Sequence, residues 1–185
     1  MAILHYPRHF VLLVGATAVL ALGLTVHSPW SPVADRLFVL FGLSGALHAV
    51  AVVLALQARA SWKARLGFVA VATALSVAAP LGGLGLAGLL QLNVVITVFL
   101  ALAFMAALGA ASYWLLVRTF WAPFLSRRSL LLTIGLCEAA TLIAALAMGA
   151  VSVPRDPLVP AAWWVGFSLS LYIADRQDRA PGPEG

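Results

Sequence analysis

Charge is what this 185-residue chain has least of: eleven basic and six acidic residues make up 9% of it, and none falls between Leu66 and Val117. A soluble domain of this length must coat itself in polar side chains, because a small body has much surface for its volume. Here 63% of the residues are apolar and the mean hydropathy is +1.05. Lipid is therefore the expected solvent. The single cysteine, Cys137, excludes an internal disulfide and a cysteine-cluster metal site. No CxxC, HExxH, carboxylate cluster or glycine-rich phosphate loop with its lysine occurs, so neither a metal nor a cofactor is expected. A net charge of +5 calls for no nucleic acid. Basic side chains at a membrane surface are attracted to anionic lipid headgroups by about 1 kcal/mol each.

What is present is a series of apolar runs, each comparable with the ~20 residues that a helix needs to cross ~30 Å of hydrocarbon. They divide residues 1–175 into a single transmembrane domain, an all-α bundle of six spans at about 10–26, 37–56, 66–84, 94–117, 129–152 and 158–174. The third and fourth form a hairpin whose turn is expected between Pro80 and Asn93, where glycines weaken the helix and Gln91 and Asn93 supply polarity. The polar, Pro- and Gly-rich tail 176–185 reads as disordered and cytoplasmic. A secretory signal competes for the first run, but the stretch from His27 to Pro32 offers no small-x-small cleavage site.

Lysine and arginine near span ends stay on the cytoplasmic side. Nine of the eleven, Arg8, Arg59, Lys63, Arg65, Arg118, Arg127, Arg128, Arg176 and Arg179, fall on one side of the six-span arrangement, and only Arg36 and Arg155 on the other. Both termini are thus expected in the cytoplasm of a cell with the chain in its plasma (inner) membrane. Aromatic residues fit the same boundaries, with Trp62, Tyr113, Trp114, Trp121 and Tyr172 near the inner one and Trp30, Trp163 and Trp164 near the outer one.

Two ionisable residues, His48 and Glu138, stand inside the spans, where a charged side chain costs about 2.5–3.5 kcal/mol even on insertion scales. Counting from the span ends puts His48 ~16 Å below the outer boundary and Glu138 ~14 Å above the inner one, so both are expected near the midplane. A histidine and a glutamate at one depth can exchange a proton, form an ion pair or grip a polar ligand. The bland alternative is that Glu138 stays protonated and bonds a neighbouring helix while His48 is satisfied by Ser44, one turn earlier. A bis-histidine haem site fails on depth, because His27 lies about 16 Å from His48 along the membrane normal. Small residues, Ala103, Ala106, Ala107, Ala110 and Ala111 in the fourth span and Gly135, Ala139 and Ala145 in the fifth, are expected to let helices approach closely.

The stretch Gly42-Leu43-Ser44-Gly45 resembles the Gly-x-Ser-Gly that carries the nucleophile in rhomboid intramembrane proteases. In that family the activating histidine comes later in the chain. No histidine follows His48, so Gly42 and Gly45 read as packing residues. In size and span count the chain is also similar to the substrate-binding subunits of energy-coupling-factor vitamin importers. The expected function is accordingly transport-related, with a small solute or protons bound at a midplane site of His48, Glu138 and Ser44, alongside a membrane protein partner or in a homo-oligomer. A non-catalytic structural or assembly subunit of a larger membrane complex is the first alternative, and a membrane-embedded enzyme acting on a lipid or an intramembrane substrate the second. No complete catalytic constellation is present.

Overall fold

The computed structural model describes residues 14–15, 17–18, 33–55, 61–90, 93–120, 125–148 and 158–177. The expected first span lies outside these except for four helical residues, Val14, Gly15, Thr17 and Ala18, as does the expected tail beyond Gln177. Over the other five runs stand five helices: α1 Val33–Ala55, α2 Trp62–Leu89, α3 Val94–Phe120, α4 Arg127–Met148 and α5 Leu158–Gln177. No strand occurs among the described residues. The protein is all-α, and three of its helices, at Trp62–Leu89, Val95–Phe120 and Arg127–Ala147, are long and apolar enough to cross a membrane.

Local chemistry sets the helix starts. Ser61 caps α2, its Oγ accepting from the Ala64 amide at 3.3 Å. Asn93 caps α3, its Oδ1 accepting from Val95 at 2.9 Å, and Ser126 caps α4 by accepting from the Ser129 amide at 3.3 Å. Each cap satisfies one of the amides that a helix start leaves without an intrahelical partner. The α2–α3 turn is therefore at the far end of the window expected from sequence. α2 runs unbroken through Pro80 and the four glycines after it, and Pro80 is itself buried.

Each helix packs on the next in chain order, and α5 returns to touch α1. Where two helices come closest, a missing side chain makes room. A Cβ on Gly166 of α5 would lie 2.7 Å from the Leu136 carbonyl oxygen of α4, and a Cβ on Gly45 of α1 would run into the Ser76 side chain of α2. Lipid provides no hydrophobic drive between helices, so such close contact carries the association. On α4 the inward row is Thr133, Cys137, Thr141 and Ala145, whereas Gly135 and Ala139 lie on the exposed side. Of the three small residues expected to pack in that helix, only Ala145 does so. Ala106 and Ala110 of α3 are buried as expected.

The core has two parts. The larger gathers Val52 and Val53 from the end of α1, Phe68 and Ala72 from the start of α2, Tyr113, Trp114 and Val117 from the end of α3, and Phe167 and Leu171 from α5. The smaller, Leu102, Ala145 and Val159, joins the start of α3, the end of α4 and the start of α5. Neighbouring helices therefore run antiparallel.

Candidate functional site

Against the aromatic residues of the larger cluster sits a group of buried polar atoms. His48 of α1 is 1% exposed and stacks face to face on Trp164 of α5, with centroids 4.1 Å apart and planes inclined by 20°. Tyr113 of α3 and Phe167 of α5 meet the same imidazole at 5.6 Å and 5.9 Å. Tyr113 also meets Trp164 and Phe167 in edge contacts at 5.2 Å and 5.0 Å. Edge-to-face and offset arrangements of this kind place a positive ring edge on a negative face. The four rings lock three helices around one point.

The hydrogen bonds around His48 assign its tautomer. Ser168 Oγ donates its single proton to the Trp164 carbonyl, 2.8 Å away, and so meets the imidazole as an acceptor. His48 Nε2 lies 3.3 Å from that oxygen and is the donor. In the neutral ring Nδ1 is then a bare acceptor, and it has no hydrogen-bond partner. Two more buried polar atoms share that condition, the Tyr113 hydroxyl and Thr141 Oγ1. Buried polar atoms left unpaired cost about 1–3 kcal/mol each, which makes three in one neighbourhood a feature to be explained.

Tyr113 and Thr141 line a partly open cavity of about 50 Å³, together with Phe41, Pro80, Trp163 and Trp164. Thr141 belongs to α4, whose Thr133, two turns earlier on the same face, donates to the Ser129 carbonyl at 2.7 Å in the usual back-bond to the preceding turn. Thr141 makes no such bond. Trp163 spans the cavity wall, its Nε1 donating to the Ala106 carbonyl of α3 at 3.1 Å. Gly109 admits that ring, since a Cβ there would lie 3.1 Å from Cζ2.

The residues expected from sequence fall as follows. His48 is at the centre of the group. Ser44 is buried, but its hydroxyl turns back to the Phe41 carbonyl at 3.2 Å and makes no bond to His48. Glu138 is half-buried on α4, beside the buried Cys137. Neither nitrogen of His48 is bonded to it, since Nε2 meets Ser168 and Nδ1 meets nothing. α1 packs chiefly on α2, and α4 on α3 and α5, so the two helices that carry this pair are not main packing partners. No group of three or more metal-ligating side chains occurs among the described residues.

Sequence reasoning missed Ser168, Tyr113 and Thr141. One signal was present for Ser168: it lies ten residues past Leu158, ~15 Å along a helix at 1.5 Å per residue, the same depth as His48. Tyr113, Trp114, Trp163 and Trp164, expected at the membrane boundaries, pack inward, with Tyr113, Trp114 and Trp164 buried. Counting along a helix gives depth but not the face on which a residue lies.

These features define an all-α protein with membrane-length apolar helices and a buried histidine packed against Trp164 and Tyr113, two of the aromatic residues that line a cavity. No protein-family model, curated protein or solved structure matches the chain.

Proposed function

We propose that this chain is a small transport protein of a plasma (inner) membrane, crossing it six times with both ends in the cytoplasm, and that a small solute or protons bind at mid-membrane around His48. One observation carries the reading: a buried imidazole with a free acceptor nitrogen packs against Tyr113 and Trp164, which line a cavity holding two unpaired hydroxyls, those of Tyr113 and Thr141. Ionisable groups at such depth are costly, and they commonly mark a pathway or binding site. Glu138, half-buried one helix away on α4, is the second ionisable group such a path would use.

Helix length supports the span count. α1 has 23 residues and α5 has 20, each matching the ~20 needed to cross the hydrocarbon. The expected first run adds the sixth. Proteoliposomes loaded with a pH-sensitive dye provide the test. Proton flux, alone or driven by a candidate solute, is expected in the wild type, lost in His48→Phe and reduced in Glu138→Gln. Undiminished flux in His48→Phe would end the reading, and undiminished flux in Glu138→Gln alone would remove the carboxyl from it.

A second reading, a subunit of a larger membrane assembly, draws on α4. Its outward side alternates exposed Leu131, Ile143 and Leu146 with Gly135 and Ala139, a surface on which another helix can pack closely.

A further inference from the structure

The cavity has a composition that selects among ligands. No charged side chain lines it, and most of its wall is hydrocarbon or aromatic ring. Ser76 contributes a hydroxyl, but that group is already committed to the carbonyls of Phe41 and Thr73 at 2.9 Å and 2.7 Å. The indole N–H of Trp163 is likewise used by Ala106. Two polar groups remain, the hydroxyls of Tyr113 and Thr141, and both residues are nearly fully buried, at 1% and 4% exposure.

We propose that this cavity binds a neutral, largely apolar molecule through a carbonyl oxygen, which accepts hydrogen bonds from the Tyr113 and Thr141 hydroxyls. The inference rests on the solute-binding reading and names the ligand class for it. An ion is disfavoured because an apolar wall returns none of the hydration energy that the ion gives up. A pure hydrocarbon fills the space but leaves both O–H protons unpaired. A carbonyl oxygen has two lone pairs for two donors and brings no further donor that the wall would have to satisfy. The flat faces of Trp163, Trp164 and Tyr113 suit the planar carbonyl group. A void of about 50 Å³ is a third of the ~150 Å³ apolar cavity known to take up benzene, so the carbonyl end of a molecule is the portion matched in size.

The test compares isosteres. Protein in lipid nanodiscs is titrated with 2-butanone, with 2-methyl-1-butene, in which a CH₂ replaces the carbonyl oxygen, and with propionate, which carries a charge. Binding is read by saturation-transfer NMR on the small molecule, with empty nanodiscs subtracted to remove partition into lipid. The expected result is a preference for the ketone over the alkene of about tenfold, the ratio that one to two net hydrogen bonds supply. Propionate is expected not to bind. Thr141→Val keeps the side-chain shape and is expected to lower the preference several-fold, and Thr141→Val with Tyr113→Phe to abolish it. Equal binding of ketone and alkene, tighter binding of propionate, or a preference that survives in the double variant would overturn the proposal. Should the double variant not yield folded protein by size exclusion, the single Thr141→Val comparison decides. Ketone binding without flux in proteoliposomes would sink the transport reading and leave this site standing. Flux without ketone binding would do the reverse.

Discussion

An imidazole buried in a membrane bundle has two ring nitrogens to satisfy, and here Ser168 serves one of them while Tyr113, Trp164 and Phe167 hold the ring in place. Truncating Ser168 would leave His48 with no partner at all. Ser168→Ala is therefore expected to destabilise the fold by about 1–3 kcal/mol, the cost of an orphaned buried polar group. Replacing both partners is a different matter, because phenylalanine at position 48 keeps the stack on Trp164 and needs no hydrogen bond. The double variant His48→Phe with Ser168→Ala is expected to lose less than Ser168→Ala alone. Reversible unfolding by SDS in mixed micelles, arranged as a double-mutant cycle, measures the coupling. If Ser168→Ala costs the same with and without His48, the serine acts through the Trp164 carbonyl and not through the histidine. That His48 would need a place inside the bundle was legible from a single fact, an ionisable residue inside an apolar run. Its partner was not, because Glu138 and Ser168 both reach its depth, and choosing between them requires knowing which helices touch. In the bundle α5 touches α1, while α4 packs on α3 and α5.

At the scale of the helix, the sequence was most misleading where it was richest in glycine. From Pro80 to Gly88 a soluble chain would be expected to break, since proline removes a backbone donor and glycine lowers helix propensity. α2 nevertheless continues to Leu89. In hydrocarbon every backbone group needs a partner within the protein, so leaving the helix early costs more than a poor helix former does. The helix stops where side chains can take over from the backbone. The Leu90 amide closes the last turn on the Ala87 carbonyl at 3.2 Å, and α3 begins at once under the Asn93 cap. Asn93 is thus expected to fix the hairpin. Asn93→Ala should lower stability by about 1 kcal/mol, whereas Asn93→Asp, which keeps the acceptor, should cost less. SDS unfolding of the two variants against wild type checks this, and equal losses would show that the amide donors of Asn93 matter and its Oδ1 does not. The existence and order of the five described helices were legible from run length and charge placement alone. The faces they turn inward were not: α4 hides Thr133, Cys137 and Thr141 while exposing Gly135, Ala139 and Leu131, and in lipid, where an outward face is apolar too, the hydrophobic pattern that orients a helix in water carries no azimuthal signal.

For the molecule as a whole, antiparallel neighbours sort the charges. The end of α1, the start of α2, the end of α3, the start of α4 and the end of α5 meet in one cluster, tied by the Phe68–Phe120 ring contact at 5.9 Å and by Trp114 Nε1 donating to Ser129 Oγ at 3.0 Å. That end bears Lys63, Arg65, Arg118, Arg127 and Arg128. Arg118 lies over the Trp114 ring at 5.2 Å, so its charge is held beside the bundle end instead of reaching into it. Of the described helix ends at the opposite side, only the start of α1 carries a basic residue, Arg36. A bundle with one basic end is what insertion with that end in the cytoplasm requires. The six-span reading adds that the chain before α1 crosses once more, which puts Ser31 and Ser152 outside and Gly182 inside. Three single-cysteine variants, Ser31→Cys, Ser152→Cys and Gly182→Cys, test this in a Cys137→Ala background with a membrane-impermeant maleimide. Ser31→Cys and Ser152→Cys are expected to label in intact cells, and Gly182→Cys only after permeabilisation. Labelling of Gly182→Cys from outside would require an odd number of crossings between Ser152 and the tail to be replaced by an even one, and the single-helix return through α5 would fall. Protection of Ser31→Cys with labelling of Ser152→Cys would place those two positions on opposite sides, which four crossings by α1 to α4 could not produce unless one of the four failed to span. The three-helix core of α2, α3 and α4 would survive that outcome, whereas the crossing by α1, and with it the midplane depth of His48, would not.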